Sequence, residues 1–295
     1  MTSFADRLAA LVEERRSQIC LGLDPDPAKL AGEGTTPGDP GASAAERAAA
    51  AVADHCRSLI ERAGSACVAV KPQLACFERL GAPGWAALEA TCAAAREAGL
   101  LVIADGKRGD VPVTAAAYAQ ALVGETPTPW GPVRGLDADA FTANPLLGRD
   151  ALEPLLAAAE EAGAGIFALV RTSNPGAADL QDLPAPEAPL HERLAAIVDD
   201  FSGRLLGDSG LSGMGAVVGA TEPRHFARMR ELMPRSIFLI PGVGAQGGKP
   251  ELLGAAFAAG RAAGLVAASR GIAADPDPAA AAERLRSAVW EISTA

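Results

Sequence analysis

Short apolar runs recur eight times along this chain, and their regular spacing limits the folds it can adopt. Each run is mostly continuous rather than alternating and is rich in Val, Ile and Leu, which is typical of parallel strands that are buried on both faces. The predicted strands are Ile19–Asp24, Ala66–Pro72, Leu101–Lys107, Ala138–Pro145, Gly165–Thr172, Met214–Ala220, Ile237–Gly244 and Gly264–Gly271. The chain therefore contains the strands of a large parallel sheet.

Alanine-rich helical stretches separate most of these runs. They are Ala44–Ala63, Trp85–Ala98, Asp150–Ala162, Leu190–Leu206, Glu222–Leu232, Pro250–Ala259 and Pro278–Ile292. Eight βα units in 295 residues predict an α/β protein with a closed (β/α)8 TIM barrel. An open doubly wound sheet is the alternative. Since we find no internal repeat and no linker, we expect residues 1–295 to form a single domain with extended βα loops.

Composition argues against several classes of protein. The formal net charge of −10 argues against a nucleic-acid polymer as partner, because such a protein needs a basic face. No apolar run approaches the length of a membrane span, and residues 1–16 have the pattern of an amphipathic helix rather than of a signal peptide. The five cysteines include no CxxC pair, which favours reduced thiols and a cytoplasmic location. The histidines show no metal-ligand spacing.

Three segments have the composition of long loops rather than of regular elements. Pro25–Pro40 is rich in proline and glycine, and Asn174–Pro189 contains four prolines and several acids. Thr126–Gly135 contains three prolines, so we expect no regular element there. Loops of this length in a compact domain are usually lids or binding loops. The first and third follow predicted strands and are expected to cover the face where barrel enzymes act.

Polar residues stand where the predicted strands end. They are Asp24, Lys71, Asp105, Lys107, Asn144, Thr172, Ser173, Ser269 and Arg270. In a barrel these ends converge on one mouth. A single such residue can serve only as a helix cap, and for Asn144 a cap and a ligand contact remain equally open. Capping does not explain the whole set, so we expect a functional site at this mouth.

The glycine-rich segment Pro241–Gly248 (PGVGAQGG) matches the GxGxxG pattern literally. A dinucleotide site is not favoured, because the segment falls in the seventh βα unit and residues 262–267 offer no acid for a ribose. A P-loop is not favoured either, because Lys249 is followed by proline. Glycines allow backbone N–H groups to approach an anion, and the start of the next helix would add its dipole. We predict a phosphate site here, with Arg270 as a bidentate cation.

A cluster of charges, Lys71, Asp105, Lys107 and Asp110, remains to be explained. The sequence shows no metal cluster, no paired nucleophile and base, and no cofactor fingerprint. A lysine flanked by carboxylates favours its ammonium form, so it is a poor Schiff-base nucleophile and a good proton donor. A carboxylate fixed beside a bound anion repels it. That repulsion is relieved if the bound group departs, for example as CO2.

The size of this effect can be judged. An ammonium about 4 Å from a developing carbanion is worth roughly 4 kcal/mol at an effective dielectric constant of about 20. That corresponds to about three powers of ten in rate. Cofactor-free decarboxylation needs much more, and the remainder must come from preorganised surroundings and from binding energy at the phosphate. The predicted phosphate site and the charge cluster are thus complementary parts of one mechanism.

Several motifs resemble the orotidine 5′-phosphate decarboxylase family along nearly the whole chain. They are Leu21–Pro25, Val70–Pro72, Ala104–Val111, Thr142–Pro145, Arg171–Pro175, Ile240–Gln246 and Ser269–Gly271. The chain length and the Arg171–Pro175 motif resemble the longer bacterial subgroup, often called type 2. The resemblance implies a cofactor-free and metal-free enzyme that converts orotidine 5′-phosphate to UMP in pyrimidine biosynthesis. It also implies a homodimer with shared active sites.

The resemblance implies roles at the reacting end of the substrate. Lys107 is expected to protonate the C6 carbanion, and Asp105 to lie near the substrate carboxylate. Asp24 and Lys71 are expected to hold the ribose hydroxyls and to orient the charges. Asp110, with Thr114 beside it, is expected to reach into the active site of the partner subunit.

The resemblance also implies contacts to the rest of the nucleotide. Either Thr172 or Ser173 is expected to contact the pyrimidine. Gln246 is expected to bridge the base and the phosphate from a closing loop, and Arg270 with its neighbouring backbone to bind the phosphate. The remaining residues expected to bind substrate are Pro241 and Ser269.

Two alternatives remain at this level. Magnesium-dependent sugar-phosphate decarboxylases and hexulose-phosphate synthases resemble this barrel and share an Asp-x-Lys-x-x-Asp pattern, but they use an extra acid near the second strand. Here Val68–Pro72 supplies a lysine and no acid, and Glu78 comes six residues after Pro72. The other alternative is a non-catalytic phosphate-binding barrel, which would keep Arg270 but has no need of the charge cluster.

Overall fold

The computed structural model describes residues 2–30, 41–184 and 186–293. Eight parallel strands form a closed barrel and follow one another around it in chain order. The fold is therefore the predicted (β/α)8 TIM barrel. Closure excludes the open doubly wound sheet, which would leave two edge strands.

Each strand overlaps the apolar run that predicts it. The barrel strands are β1 (Ile19–Leu23), β2 (Ala69–Pro72), β3 (Leu101–Arg108), β4 (Ala140–Ala143), β5 (Gly165–Arg171), β6 (Ser212–Val218), β7 (Ser236–Pro241) and β8 (Gly264–Ala268). Every residue of β1, β4, β6 and β8 is buried. Burial on both faces explains why these runs are continuous rather than alternating.

Helices surround the barrel. They are α1 (Phe4–Arg15), α2 (Ala44–Ala63), α3 (Leu74–Glu78), α4 (Ala82–Glu97), α5 (Pro112–Leu122), α6 (Arg149–Ala162), α7 (Ala177–Leu180), α8 (Leu190–Ser202), α9 (His225–Leu232), α10 (Arg270–Ala273) and α11 (Pro278–Ile292). The local sequence determines where several of these helices begin. Ser43 and Glu46 form a reciprocal capping box at α2, and proline occupies the first turn of α5 and α11.

The N-terminal helix α1 closes one end of the barrel. Its apolar face, Phe4, Leu8 and Val12, belongs to the core inside the barrel. Phe4 packs edge-on against Phe167 of β5, with ring centroids 5.8 Å apart. A Cβ at Gly165 would lie 2.5 Å from the Phe4 ring, so glycine is required at that contact. Because this end is filled, a ligand can enter the barrel only at the opposite, C-terminal end of the strands.

The prediction of a helix over Pro250–Ala259 is wrong. This segment forms two short 3-10 turns, Pro250–Leu252 and Gly254–Phe257, instead of an α-helix. Gly254 interrupts the pattern, and glycine is unfavourable in a helix interior. The dipole of a regular helix that was expected to follow the Pro241–Gly248 segment is therefore missing.

The prediction that Thr126–Gly135 contains no regular element is also wrong. Glu125–Thr126 and Val133–Arg134 pair as a two-residue antiparallel hairpin outside the barrel. All three prolines lie in the loop between these strands, so they remove no N–H group from the short ladder. Of the Pro25–Pro40 segment, residues 31–40 lie outside the described residues.

Along residues 2–30, 41–184 and 186–293, no helix has the length and apolar character needed to cross a membrane. All five cysteines are free, and four of them are buried. Burial raises the pKa of Cys56, Cys67 and Cys92 to about 12. These thiols therefore pack in the core as small apolar groups.

Candidate active site

A cavity of about 550 Å3 opens at the C-terminal ends of the barrel strands. Ten of the twelve predicted site residues line it: Asp24, Lys71, Asp105, Lys107, Thr172, Ser173, Pro241, Gln246, Ser269 and Arg270. They are contributed by the ends of β1, β2, β3, β5, β7 and β8 or by the loops that follow. Convergence of strand ends thus brings residues that are distant in sequence into one concave site.

Asp105 is the centre of the charge cluster and is only 4% exposed. Its Oδ2 accepts hydrogen bonds from Lys71 Nζ at 2.5 Å and from Gln73 Nε2 at 3.2 Å. Its Oδ1 accepts from Lys107 Nζ at 2.7 Å and from Thr142 Oγ1 at 2.8 Å. Four donors, two of them cationic, therefore hold this carboxylate in a fixed orientation.

Electrostatics keep the buried pair of Asp105 and Lys71 ionised. Burial alone raises the pKa of Asp105, but Lys71 and Lys107 outweigh it and lower that pKa to about 2. Burial opposes the charged form of Lys71, yet Asp105 and Asp24 raise the pKa of Lys71 above its usual value. Lys71 is therefore a fixed cation rather than a base or a nucleophile.

The two ammonium groups of the cluster differ in exposure. Both side chains line the cavity, but that of Lys71 is 10% exposed, whereas that of Lys107 is 45% exposed. Both form ion pairs with Asp105, Lys71 with Oδ2 and Lys107 with Oδ1. Lys107 is thus the more accessible ammonium of the two, and Lys71 is the more deeply buried one.

The backbone at Lys107 has an unusual conformation. Its φ is +48°, in the left-handed region that residues other than glycine seldom adopt. The pairing of β3 with β4 shifts register here, from Ala104 opposite Phe141 to Arg108 opposite Ala143. Such irregularities often occur next to active sites, where they redirect a side chain.

At the other side of the cavity, the Pro241–Gly248 segment forms a tight loop. Gly242, Gly244 and Gly247 all have positive φ, between +71° and +99°, so the GxGxxG glycines meet a real backbone requirement. Arg270 begins α10 at the cavity wall, and no described carboxylate pairs with it. Glycine at position 22 of β1 allows Ser269, at the end of β8, to lie close to the β1 backbone, because a Cβ at Gly22 would be 2.7 Å from Ser269 Cβ.

The loop after β5 forms the third wall. Arg171 holds it from beneath through two hydrogen bonds to Asp182, of 2.9 and 3.0 Å. Gln181 Oε1 accepts the N–H of Thr172 at 2.8 Å, and the Thr172 hydroxyl donates to Asn174 at 2.7 Å. Among the described side chains, none bonds to the Ser173 hydroxyl, which also lines the cavity. The first half of the predicted loop Asn174–Pro189 therefore lines the site, as its position in the sequence predicts, but the expectation of no regular element there is wrong, because it includes the short helix α7.

Asp110 and Thr114 do not line the cavity of their own chain. Asp110 follows β3, and its Oδ1 accepts the N–H of Val111 at 2.7 Å. The side chains around it are apolar and exposed: Val111 is 55% and Val113 is 85% exposed. Asp110 thus stands at the rim of the barrel mouth on an apolar surface.

Four polar residues that line the cavity have no role in the sequence predictions: Gln73, Thr142, Asn174 and Gln181. Gln73 follows the Val70–Pro72 motif directly, and its backbone bridges to Asp105. Thr142 lies inside the Thr142–Pro145 motif, which assigned it no function. Asn144 serves as a cap, since its Oδ1 accepts the N–H of Leu146 at 3.1 Å. Gln73 could have been identified as a candidate site residue, because it directly follows a strand end. Nothing in the sequence shows that Thr142 faces Asp105.

A closed parallel barrel with a charged cavity at the C-terminal ends of its strands defines this protein as a (β/α)8-barrel enzyme. The chain belongs to the orotidine 5′-phosphate decarboxylase / HUMPS family, whose family model matches residues 17–285. The match covers every barrel strand and every predicted site residue.

Individual relatives agree with this assignment. The chain is 40% identical over 279 residues to orotidine 5′-phosphate decarboxylase of Rhodopirellula baltica, covering 92% of this chain and 88% of that protein. The structure of Leishmania donovani OMP decarboxylase superposes with a TM-score of 0.75 at 34% identity, covering the whole of both chains. Leishmania donovani UMP synthase gives a TM-score of 0.79 at 35% identity; this chain is covered completely and spans 57% of that longer one.

Proposed function

We propose that this chain decarboxylates orotidine 5′-phosphate (OMP) to UMP in pyrimidine biosynthesis, without a cofactor. One observation carries the proposal: the Lys71–Asp105–Lys107 cluster and Arg270, with its glycine loop, line one and the same cavity. A ligand that has a carboxylate at one end and a phosphate at the other fits this charge distribution. Family membership and the name of the curated relative support the same substrate.

The reaction follows from the geometry of Asp105 and Lys107. Asp105 is held ionised, so it repels a carboxylate placed beside it. When the bond from C6 of the pyrimidine to its carboxylate breaks, CO2 leaves and the electron pair stays on C6. Lys107 Nζ stabilises this negative charge and donates a proton to C6, which completes UMP. The neutral amine then takes a proton from solvent.

Binding energy comes from the far end of the nucleotide. We assign the phosphate to Arg270 and to the backbone of the Pro241–Gly248 loop, with Gln246 bridging phosphate and base. Arg270 has no competing carboxylate among the described residues, so its guanidinium is available for bidentate contact. Pro241 and Ser269 line the cavity between the phosphate and the sugar. Interactions at this end offset the repulsion at the reacting end.

We assign the ribose hydroxyls to Asp24 and Lys71, which line the cavity at the ends of β1 and β2. For the pyrimidine we favour Ser173 over Thr172. The N–H and the hydroxyl of Thr172 are already bonded to Gln181 and Asn174, whereas no described side chain bonds to the Ser173 hydroxyl. Gly219 allows Ser173 its position, since a Cβ there would lie 2.7 Å from Ser173 Cα.

We propose that the enzyme is a homodimer with shared active sites. The rim of the barrel mouth exposes Val111 and Val113 after β3 and Leu146 and Leu147 after β4, between 45% and 85% exposed. These two loops are adjacent, because the N–H of Asn144 donates to the carbonyl of Arg108 at 2.8 Å. An apolar rim of this kind suits a second copy of the chain. Asp110 and Thr114, absent from their own cavity, then complete the partner's site.

The magnesium-dependent alternative is less well supported. The nearest candidate for its extra acid is Glu78, but this carboxylate forms an ion pair with Arg108 and does not line the cavity. The guanidinium of Arg108 also lies 5.3 Å from the ring centroid of Tyr118. A non-catalytic phosphate-binding barrel would gain nothing from burying an ionised Asp105 between two lysines, since such burial costs free energy.

We further propose that residues 1–295 act as a single domain and that the enzyme works in the cytoplasm, where its five free thiols stay reduced.

A direct assay tests the proposed function. Purified protein is mixed with OMP in EDTA, and the absorbance of the pyrimidine and the release of CO2 are followed. We expect full turnover in the chelator. Turnover that stops in EDTA and returns with magnesium would support the metal-dependent alternative, and no turnover at all would support a binding protein.

A further inference from the structure

The irregular pairing of β3 with β4 leaves one residue of β4 opposite three residues of β3. Between the pairs Ala104–Phe141 and Arg108–Ala143, β3 has three residues and β4 has one. That one residue is Thr142, which is 1% exposed and faces the segment from Asp105 to Lys107. The extra residues on β3 leave backbone N–H groups without a partner in the ladder.

The Thr142 hydroxyl takes the place of the missing ladder partner. It accepts the N–H of Lys107 at 2.8 Å, at the residue whose φ is +48°. A buried N–H needs an acceptor, and a left-handed conformation persists only where its surroundings impose it. This hydrogen bond is therefore a direct restraint on the backbone of Lys107.

The same hydroxyl has one proton to give. Its oxygen is 2.8 Å from Asp105 Oδ1, and an ionised carboxylate can only accept, so the proton points to Asp105. Lys107 Nζ donates to that same Oδ1 at 2.7 Å. Thr142 thus contacts both ends of Lys107, the backbone N–H directly and the ammonium through the carboxylate oxygen that they share.

We propose that Thr142 is a positioning residue that aims the Lys107 ammonium at the reacting carbon by fixing both the Lys107 backbone and Asp105 Oδ1. This inference rests on the proposed function and adds a residue to it. Thr142 acts in the chemical step rather than in binding, because Arg270 and the Pro241–Gly248 loop, which we assign to the phosphate, belong to the ends of β7 and β8 and the segments that follow them, and Thr142 forms no hydrogen bond to them.

The substitution Thr142→Val tests this role, since it keeps the shape and removes the hydroxyl. Displacement of a catalytic group by about 1 Å costs about a hundredfold in rate, so we expect kcat for OMP to fall by about that factor. We expect KM and the affinity for UMP to change less than about threefold, and Thr142→Ser to restore most of kcat. Thr142→Ala is measured in parallel, in case valine distorts the core.

A matched control is available in α4. Thr91 is also 1% exposed, and its hydroxyl donates to the carbonyl of Ala87 at 2.8 Å, outside the cavity. Thr91→Val removes a buried hydroxyl without touching Asp105 or Lys107, so we expect its kcat to remain within about twofold of wild type. Melting temperatures of both variants show how much of any effect is general loss of stability.

A second measurement does not depend on activity. The chain has only four lysines, Lys29, Lys71, Lys107 and Lys249, so labelling with 15N-lysine gives four backbone amide signals. We expect hydrogen exchange at the Lys107 amide to be at least tenfold faster in Thr142→Val than in wild type and slow again in Thr142→Ser. The Lys71 amide, which lies in β2, serves as the internal control.

These results separate the two proposals. If wild-type protein does not turn over OMP, the proposed function is wrong. Hydrogen exchange at the Lys107 amide still shows in that case whether Thr142 restrains the Lys107 backbone. The role of Thr142 is overturned if kcat of Thr142→Val stays near wild type, if kcat and KM worsen together without rescue by serine, or if Lys107 exchange is unchanged. It is also overturned if the valine and alanine variants fail to fold where Thr91→Val folds.

Discussion

Lys71 and Asp105 form a buried ion pair, with Nζ and Oδ2 2.5 Å apart and with side chains 10% and 6% exposed. Removal of one partner from such a pair leaves an uncompensated charge in the core, which costs about 3–5 kcal/mol. The pair is therefore a fixed structural and electrostatic element of the barrel mouth. Its existence ties the stability of the fold to the ionisation of the site.

Acid should weaken the fold through Asp105. The pKa of this carboxyl is about 2 in the folded chain, against 3.8 as its ordinary value. Because the folded form holds its proton less tightly, Asp105 stabilises the fold above pH 4, by about 2 kcal/mol. That contribution is lost as the pH falls from about 4 towards 2. Urea unfolding at pH 5, 4 and 3 measures it.

The variant Asp105→Asn supplies the comparison. It is less stable than wild type at neutral pH, since Lys71 loses its counter-charge. We expect the difference in unfolding free energy between wild type and variant to shrink by roughly 1 kcal/mol between pH 5 and pH 3. A difference that stays constant over this range would show that the pKa of Asp105 is not lowered.

The fold was predictable because burial on both faces gives parallel strands a continuous apolar sequence. The same signal is insufficient where an element depends on local backbone rules. In Pro250–Ala259, apolar and alanine residues suggest a helix, but only 3-10 turns form around Gly254. In Thr126–Gly135, the prolines suggest an irregular loop, yet they fall between two short strands and leave their hydrogen bonds intact.

The candidate site was predictable to the extent that it consists of strand ends. Lys71, Asp105 and Arg270 line one cavity because barrel strands converge at their C-terminal ends. Thr142 could not be found in this way. Its contact with Lys107 requires the register shift between β3 and β4, and a shift of register leaves no mark in the residue types. Gln73 could have been found, since it directly follows a strand-end motif.

Lys107→Ala should abolish turnover while the nucleotide still binds. The ammonium lies 2.7 Å from Asp105 and faces the cavity, so its loss removes both the proton donor and a charge worth roughly 4 kcal/mol to the carbanion. We expect kcat to fall by at least about a thousandfold. Calorimetry should show UMP binding within about tenfold of wild type. Undiminished turnover would remove Lys107 from its assigned role.

Arg270→Ala should weaken substrate binding more than it affects folding. The guanidinium is exposed at the cavity wall and has no described carboxylate partner, so its removal leaves no unpaired charge. A charge-assisted contact to phosphate is worth about 1.5–3 kcal/mol, which predicts a rise in KM of about tenfold to a hundredfold. Lys249→Ala removes an exposed cation just outside the cavity and should leave KM unchanged. Equal KM values for the two variants would contradict the phosphate assignment.

Ser173→Ala should weaken recognition of the base alone. If the hydroxyl reads the pyrimidine, its loss reduces affinity for UMP by about five- to tenfold, as expected for one hydrogen bond of about 1 kcal/mol or slightly more. Ribose 5-phosphate has no base, so its affinity should be the same in wild type and variant. Loss of affinity for both ligands would instead indicate that the substitution disturbs the loop after β5.

Hybrid dimers should reveal whether Asp110 acts across the interface. Asp110 does not line the cavity of its own chain, whereas Lys107 does. Asp110→Ala and Lys107→Ala proteins, each inactive alone, should therefore regain activity when mixed, because one of the two sites in a hybrid dimer then receives both native residues. Under full exchange half of the dimers are hybrids with one intact site each, so we expect about a quarter of wild-type activity.

The matched control mixes Lys71→Ala with Lys107→Ala. Lys71 and Lys107 bond to the same Asp105 within one chain, so every site in such a hybrid lacks one of them. No activity should return in this mixture, although the subunits exchange equally well. Subunit exchange is verified by mass spectrometry of differently tagged chains. If the Asp110 mixture also stays inactive after exchange, Asp110 acts within its own chain and the shared-site proposal fails.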